Sequence, residues 1–244
     1  MGARTAAERL HALYVEELRQ SLLPPVDPTA NRRQMDALIE RARAAKAADF
    51  TETDTTTWIW SDLHLCHEHS RTVFGRPFRT TAAADTAMME AWYEQVAEDE
   101  TIICLGDITV DGEALAHHQE WWGKAPGAKW LVLGNHDVDP VNQIHLFEID
   151  RTAVTLHAAG DPPLLLTHVP LLLVPHGAVN VHGHVHEKES PTAHQHINVS
   201  IEQLNYRPTK LSEIRRLARR LVEGRTVPGH STRARLDVVE RVMP

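Results

Sequence analysis

The stretch Trp58-Ile59-Trp60-Ser61-Asp62-Leu63-His64 sets a short apolar run directly before two side chains able to bind a cation. The arrangement recurs four times. Ile102-Ile103-Cys104-Leu105 runs into Gly106-Asp107, and Trp130-Leu131-Val132-Leu133 into Gly134-Asn135-His136-Asp137. Leu164-Leu165-Leu166 precedes Thr167-His168, and Val179-Asn180-Val181 precedes Gly183-His184-Val185-His186. Each run is too short for a helix, and four of the five carry β-branched or aromatic residues, so each reads as a buried strand. Five strands therefore deliver Asp, Asn and His at their C-terminal ends, which describes a metal site built across one sheet edge.

Helical patterns lie between and around these strands. Residues 80–98 place Ala84, Ala87, Met88, Ala91, Trp92 and Val96 on one apolar face, and residues 113–122 read as a shorter helix. After Pro140 the pattern turns β-rich, over 153–156, 163–167, 178–182 and 196–201. Leu211, Ile214, Leu217 and Leu221 then mark an arginine-rich amphipathic helix. Helix alternating with strand, followed by several strands in a row, predicts an α/β fold of two packed sheets with helices outside. The first fifty residues differ. Leu10, Leu13, Tyr14, Leu18 and Leu22 define one helix ended by Pro24-Pro25, and a second is expected over about residues 29–48. Residues 1–50 thus read as a helical hairpin appended to a domain spanning 58–244. Covering a sheet edge and making a homo-oligomer contact are both open to it.

Composition narrows the class. A chain of 244 residues that is 42% hydrophobic and 24% charged suits a soluble globular protein with one substantial core. The net charge of −8 disfavours nonspecific nucleic-acid binding by the whole surface. From Lys210 onward, however, nine Lys/Arg face four Asp/Glu, leaving −13 on the remainder. Cys66 and Cys104 are too few for a disulfide framework and fall in or beside core strands. The sequence carries neither a membrane-length apolar run nor a secretory leader, so a cytoplasmic protein without membrane partners is expected.

Four His, two Asp and one Asn form a mixed donor set. Imidazole suits Zn, Fe, Mn or Ni, and carboxylate and amide oxygens pull the preference toward Mn or Fe(II). A carboxylate is the natural bridge between two ions, since each oxygen can serve one. In a straight strand residues i and i+2 face one side, so Asp62 with His64, and His184 with His186, are expected to converge. Glycine before Asp107, Asn135 and His184 allows a sharp turn at the strand end.

The five ordered blocks, D-x-H, G-D, G-N-H-D, a lone H and G-H-x-H over residues 62–186, resemble the calcineurin-like metallophosphoesterase superfamily. Ser61-Asp62-Leu63-His64, Arg76-Pro77-Phe78, Asn198-Val199-Ser200 and Tyr206-Arg207-Pro208 are similar to a bacterial and phage subgroup of small phosphoesterases. The resemblance implies a four-layer αββα sandwich of two mixed sheets. It implies one metal held by Asp62, His64, Asp107 and His186, and a second by Asp107, Asn135, His168 and His184, with Asp107 the bridge. His136 would be catalytic, contacting the phosphate and protonating the leaving group. The reaction implied is hydrolysis of a phosphomonoester or phosphodiester by a metal-bridging hydroxide, with two divalent ions (Mn favoured over Fe, Zn or Ni). A G-D-x-x-D motif, whose second Asp orients the histidine, is common in the family. Here Val110 stands in that place, leaving Asp111 or Asp137 as candidates.

Other residues carry two readings each. His67 is a substrate contact or a loop residue, and Arg71 and Arg76 are phosphate ligands or loop braces. His182 reads as a support behind the ligands or as core, and His194 and His196 as near the site mouth. Two further functions compete: a nuclease of the same chemistry using the basic C-terminal region on a nucleotide or nucleic-acid substrate, and a non-catalytic binding scaffold. The scaffold reading is weakened by the presence of every ligand.

Overall fold

The apolar runs fold as strands, and the elements around them follow in chain order. The computed structural model describes residues 6–20, 36–43, 48–51, 55–110, 123–137 and 149–242. It begins with helices α1 (Ala6–Gln20) and α2 (36–43), strands β1 (Ala48–Thr51) and β2 (Thr57–Trp60), and helices α3 (Glu68–Val73) and α4 (Thr81–Gln95). Strands β3 (Thr101–Cys104), β4 (Ala128–Val132), β5 (Ile149–Arg151), β6 (Ala153–His157), β7 (Leu164–Thr167), β8 (Val179–His182) and β9 (His196–Asn198) come next. A 3-10 turn (Ile201–Leu204), β10 (Thr209–Lys210), α5 (Leu211–Val222) and α6 (Thr232–Val242) complete the described chain. The expected helix over 113–122 and Asp111 lie outside the described residues, as do Leu22 and the start of the second N-terminal helix.

Two five-stranded sheets form, ordered β1-β6-β7-β8-β9 and β10-β2-β3-β4-β5. Both are mixed: β6 pairs antiparallel with β7 in the first and β10 with β2 in the second, and every other pairing is parallel. Flanked by helices, they make the αββα sandwich. β7 and β8 are buried at every position, as strands covered on both faces must be. Asn180, inside β8, stays satisfied there. Its Nδ2 donates to the Leu165 carbonyl (2.7 Å) and to Thr167 Oγ1 (3.0 Å), while its Oδ1 accepts from Leu171 N–H (2.8 Å). One side chain thus ties β7 to the segment leaving it.

α4 starts where Thr80 caps it, its hydroxyl accepting from the Ala83 N–H. It buries Ala84, Met88, Ala91 and Trp92 against the second sheet. The Trp92 ring meets Trp60 edge to face, centroids 5.6 Å apart, and its Nε1–H donates to the Pro126 carbonyl at 3.0 Å.

The N-terminal segment differs from the appended hairpin expected. Ala48, expected at the end of a helix, opens β1, which pairs parallel with β6 and forms the edge of a sheet. α1 packs on β6 and β1, and Tyr14 is fully buried in the common core with Leu38 and Ala42. Cys66, expected in or beside the core, is exposed, whereas Cys104 is buried. α3, β5, β10 and α6 are further elements not anticipated from sequence.

Trp92→Ala should lower the unfolding free energy by about 3–5 kcal/mol. The check is the urea midpoint at unchanged m-value; a loss below about 1 kcal/mol would remove this ring pair from the core's main supports.

Candidate metal centre

All seven expected ligands and His136 converge, though from both sheets rather than one edge. β2, β3 and β4 bring Asp62, His64, Asp107, Asn135 and His136, while β7 and β8 bring His168, His184 and His186. Three groups have ligand atoms within 4.8 Å of one another: Asp62 with His64 and His186, His64 with Asp107 and His136, and Asp107 with His168 and His184. Asp107 Oδ2 stands between the flanking sets, 3.5 Å from His64 Nε2 and 3.2 Å from His168 Nε2, with His136 Nε2 at 3.9 Å. Asn135 joins the second set through Oδ1, 3.2 Å from His168 Nε2. His186 Nε2 lies 3.8 Å from Asp62 Oδ1.

Convergence does not come from straight-strand alternation. Asp62, His64, Asp107, His184 and His186 all lie past their strands with left-handed backbones, φ 61°, 46°, 55°, 69° and 52°. Such conformations cost an L-residue about 1–2 kcal/mol each. They are held by cross-loop hydrogen bonds: Asp62 N–H to the Gly106 carbonyl (3.0 Å), His64 N–H to the Asp107 carbonyl (3.0 Å), and Gly183 N–H to the His168 carbonyl (3.0 Å). Two glycines serve by lacking a side chain. A Cβ at Gly134 would collide with the Asp107 carboxylate, and one at Gly183 with Ser61 Oγ and the Asp62 carboxylate.

Electrostatics separate the histidines. Burial pulls His64 and His184 well below the ordinary imidazole range, with neighbouring histidines adding to the effect. Their rings are neutral and keep a lone pair. Burial also opposes charge on His168, but the Asp107 carboxylate outweighs it and pushes His168 up to about 10. Burial would raise Asp107; His168, His136 and His64 instead hold it well below the usual carboxylate range. Asp107 is therefore ionised in a buried setting. Burial lifts Asp62, which accepts from the His184 N–H at 3.0 Å and from Ser200 Oγ at 2.8 Å.

Asp137 has a different task from orienting His136. Its oxygens accept from three backbone N–H groups: Asp107 (2.7 Å) and Gly134 (2.8 Å) on one, Ile108 (3.2 Å) on the other. It staples the β3 and β4 loops together. Burial, with the nearby Asp107 charge, raises it to about 7 despite those donors. Arg76 is a brace: it donates to the Leu63 carbonyl (2.7 Å), the Asp62 carbonyl (3.0 Å) and Glu202 (3.0 Å). Arg71 pairs with Glu68 and donates to the Phe78 carbonyl. His67 Nδ1 bonds Ser70 Oγ at 2.5 Å. His182 is fully buried between the Gly183 carbonyl and Ser190 Oγ, and burial pulls it down to about 3. His194 is exposed, and His196 is buried between Thr192 and the Leu171 carbonyl.

Sequence reasoning missed Glu202, Ser200 and Tyr14. Glu202 Oε2 lies 3.3 Å from His186 Nδ1, and the Tyr14 hydroxyl accepts from Val169 N–H (3.4 Å) beside His168. Ser200 stood inside the quoted Asn198-Val199-Ser200 motif, so a signal existed for it.

No family model matches the chain. It is 28% identical to the Gene 66 protein of Mycobacterium phage L5, across 61% of this chain and 87% of the phage protein. The Gene 66 protein of Mycobacterium phage D29 is 27% identical, across 55% and 80%. Among solved structures, a protein of unknown function from Aquifex aeolicus aligns with a TM-score of 0.55 at 23% identity, covering 65% of this chain and 96% of that one. That likeness is one of fold. Among the described residues no helix is long and apolar enough to cross a membrane.

Gly134→Ala should destabilise the chain by about 1–3 kcal/mol through overpacking against Asp107. Denaturant unfolding measures it; wild-type stability would mean the two loops can separate without penalty.

Proposed function

We propose that this chain is a dinuclear metal-dependent hydrolase of phosphate esters. The supporting observation is His64. Its ring is buried and neither nitrogen makes a hydrogen bond, yet it sits 3.5 Å from the Asp107 carboxylate and within reach of Asp62 and His186. A neutral, buried imidazole without a donor or acceptor partner calls for an explanation, and a cation in that cradle supplies one. Buried carboxylates point the same way, since charge inside a protein is paired or coordinated.

The donor set fits two ions that share Asp107. Asp62, His64, Asp107 and His186 would hold one; Asp107, Asn135, His168 and His184 would hold the other. When bound, such a pair activates water and clamps phosphoryl oxygens. The chain's own contribution beyond ligation is His136. Its backbone N–H donates to Asp107 Oδ1 at 2.9 Å, fixing the residue beside the shared carboxylate. Its side chain is 18% exposed, open enough to meet a substrate oxygen and pass it a proton.

A small ester is a better match than a polynucleotide. Several of the C-terminal arginines that motivated a nuclease are engaged within the chain: Arg215 with the Pro162 carbonyl, Arg219 with Asp161, Arg220 with Glu223, and Arg233 with Glu213 and Asp237. Arg235 donates to the Ala193 and His196 carbonyls.

The test is a Mn²⁺-reconstituted screen of aryl monoester, aryl diester, cyclic nucleotide and single-stranded DNA, with metal analysis of the same sample. Turnover of an ester is expected, and Asp107→Asn should abolish it and weaken metal binding. Metal-loaded protein inert to all four substrates, or an active Asp107→Asn variant, would sink the reading. His136→Ala should retain both ions and lose about 10²–10⁴-fold in rate. Ion loss in that variant would make His136 a ligand.

A further inference from the structure

Arg76-Pro77-Phe78 and the segment from Asn198 to Arg207 stand far apart in sequence and are not used by the mechanism, yet they meet under the site. Arg76 grips the Asp62 and Leu63 carbonyls with Nη2 and Nη1, and Glu202 Oε1 with Nε. Both side chains of this ion pair are buried, 2% and 3% exposed. The second oxygen of Glu202 faces His186 Nδ1 at 3.3 Å. A continuous strut therefore runs from the Asp62-Leu63 backbone through Arg76 and Glu202 to the His186 ring.

The rest of His186 is equally fixed. Phe74 stacks on its face, centroids 3.5 Å apart and planes 13° from parallel. Its carbonyl accepts from Asn198 Nδ2 (2.9 Å) and Gln203 Nε2 (3.3 Å). With Nδ1 turned to Glu202, Nε2 is the nitrogen left facing Asp62. The opposite side of the centre is built otherwise: His168 Nδ1 meets the Leu105 carbonyl at 2.7 Å, a neutral acceptor.

From this geometry we infer that Glu202, set by Arg76, is a positioning residue for the half of the centre made by Asp62, His64 and His186, and leaves the His168 and His184 half untouched. The inference rests on the metal reading above. A carboxylate accepting from the non-ligating ring nitrogen fixes the tautomer and raises the ligand's basicity. Stability alone explains the pair poorly, because desolvation of two buried charges offsets most of their attraction.

Titrating the full chain with Mn²⁺ by calorimetry, with electron paramagnetic resonance to count coupled ions, separates the possibilities. Wild type should take two ions. Glu202→Ala should lose about 10–100-fold in affinity at one ion and keep the other near wild type. Glu202→Gln retains a carbonyl acceptor for the ring N–H, so it should weaken the same ion by less than the alanine variant. Should the alanine variant not fold, the glutamine variant decides the matter alone. Wild-type affinity for both ions in the variant tested, or equal weakening of both, overturns the positioning role. A wild-type chain that binds no Mn²⁺ removes the metal reading itself, and the role with it.

Discussion

A single buried carboxylate sets the demands on the rest of the molecule. Asp107 is ionised, 2% exposed, and reached from four directions. Its Oδ1 accepts from the His136 N–H, its Oδ2 faces three imidazoles, and its own N–H is held by Asp137. Charge so deep in a protein is tolerated only with dense compensation. That requirement explains why loops from β3, β4 and β7 close on one point, and why residue 134 has no side chain to fill the space. Moving any of them leaves the carboxylate short of a partner.

The backbone shares the same logic. Five of the donor residues adopt left-handed conformations, which persist only where surrounding structure over-determines them. The parallel strands supply a rigid base, and the loops lock across the two sheets. Ser61 bridges Ser200, the Ile201 N–H donates to the Ser61 carbonyl, and the Ser200 hydroxyl reaches Asp62. The sandwich interface is therefore also the line along which the site is assembled. Left-handed backbone is concentrated at the candidate ligands, while the strands behind them keep regular pairing.

Much of this was legible in the chain. Short apolar runs ending in Asp, Asn or His named five of the strands and the eight side chains they bring together, because strand composition and donor chemistry are both local properties. What failed depended on distant partners. Ala48-Asp49-Phe50-Thr51 is only four residues long and follows an alanine-rich helical pattern, and it becomes a strand through parallel pairing with β6, over a hundred positions away. The reading of Asp62 and His64 as a straight-strand pair reached the right neighbours for the wrong reason, since period-2 alternation ends with β2 at Trp60. Asp137 was a candidate to orient His136, but its oxygens answer to backbone amides of its own loop and of the β3 loop. Glu202 is 126 positions from Arg76, and no periodicity connects them.

Under the proposed chemistry, the distribution of burial also fixes the side from which a substrate arrives. His168 and Asp62 are wholly buried, and His64 and His186 nearly so. His168 is backed by the Leu105 carbonyl, and His186 by Phe74 and Glu202. His136 and His184 are the half-buried members, both turned to Asp107's neighbourhood from the loops of β4 and β8. Under that proposal, an ester would reach the centre on the side of His136 and His184, the two rings left half-buried. His136, the proton donor of that proposal, lies 3.9 Å from Asp107 Oδ2, against 3.5 Å for His64 and 3.2 Å for His168. Asp137, accepting from the Asp107 and Gly134 N–H groups, holds together the two loops that carry Asp107 and His136.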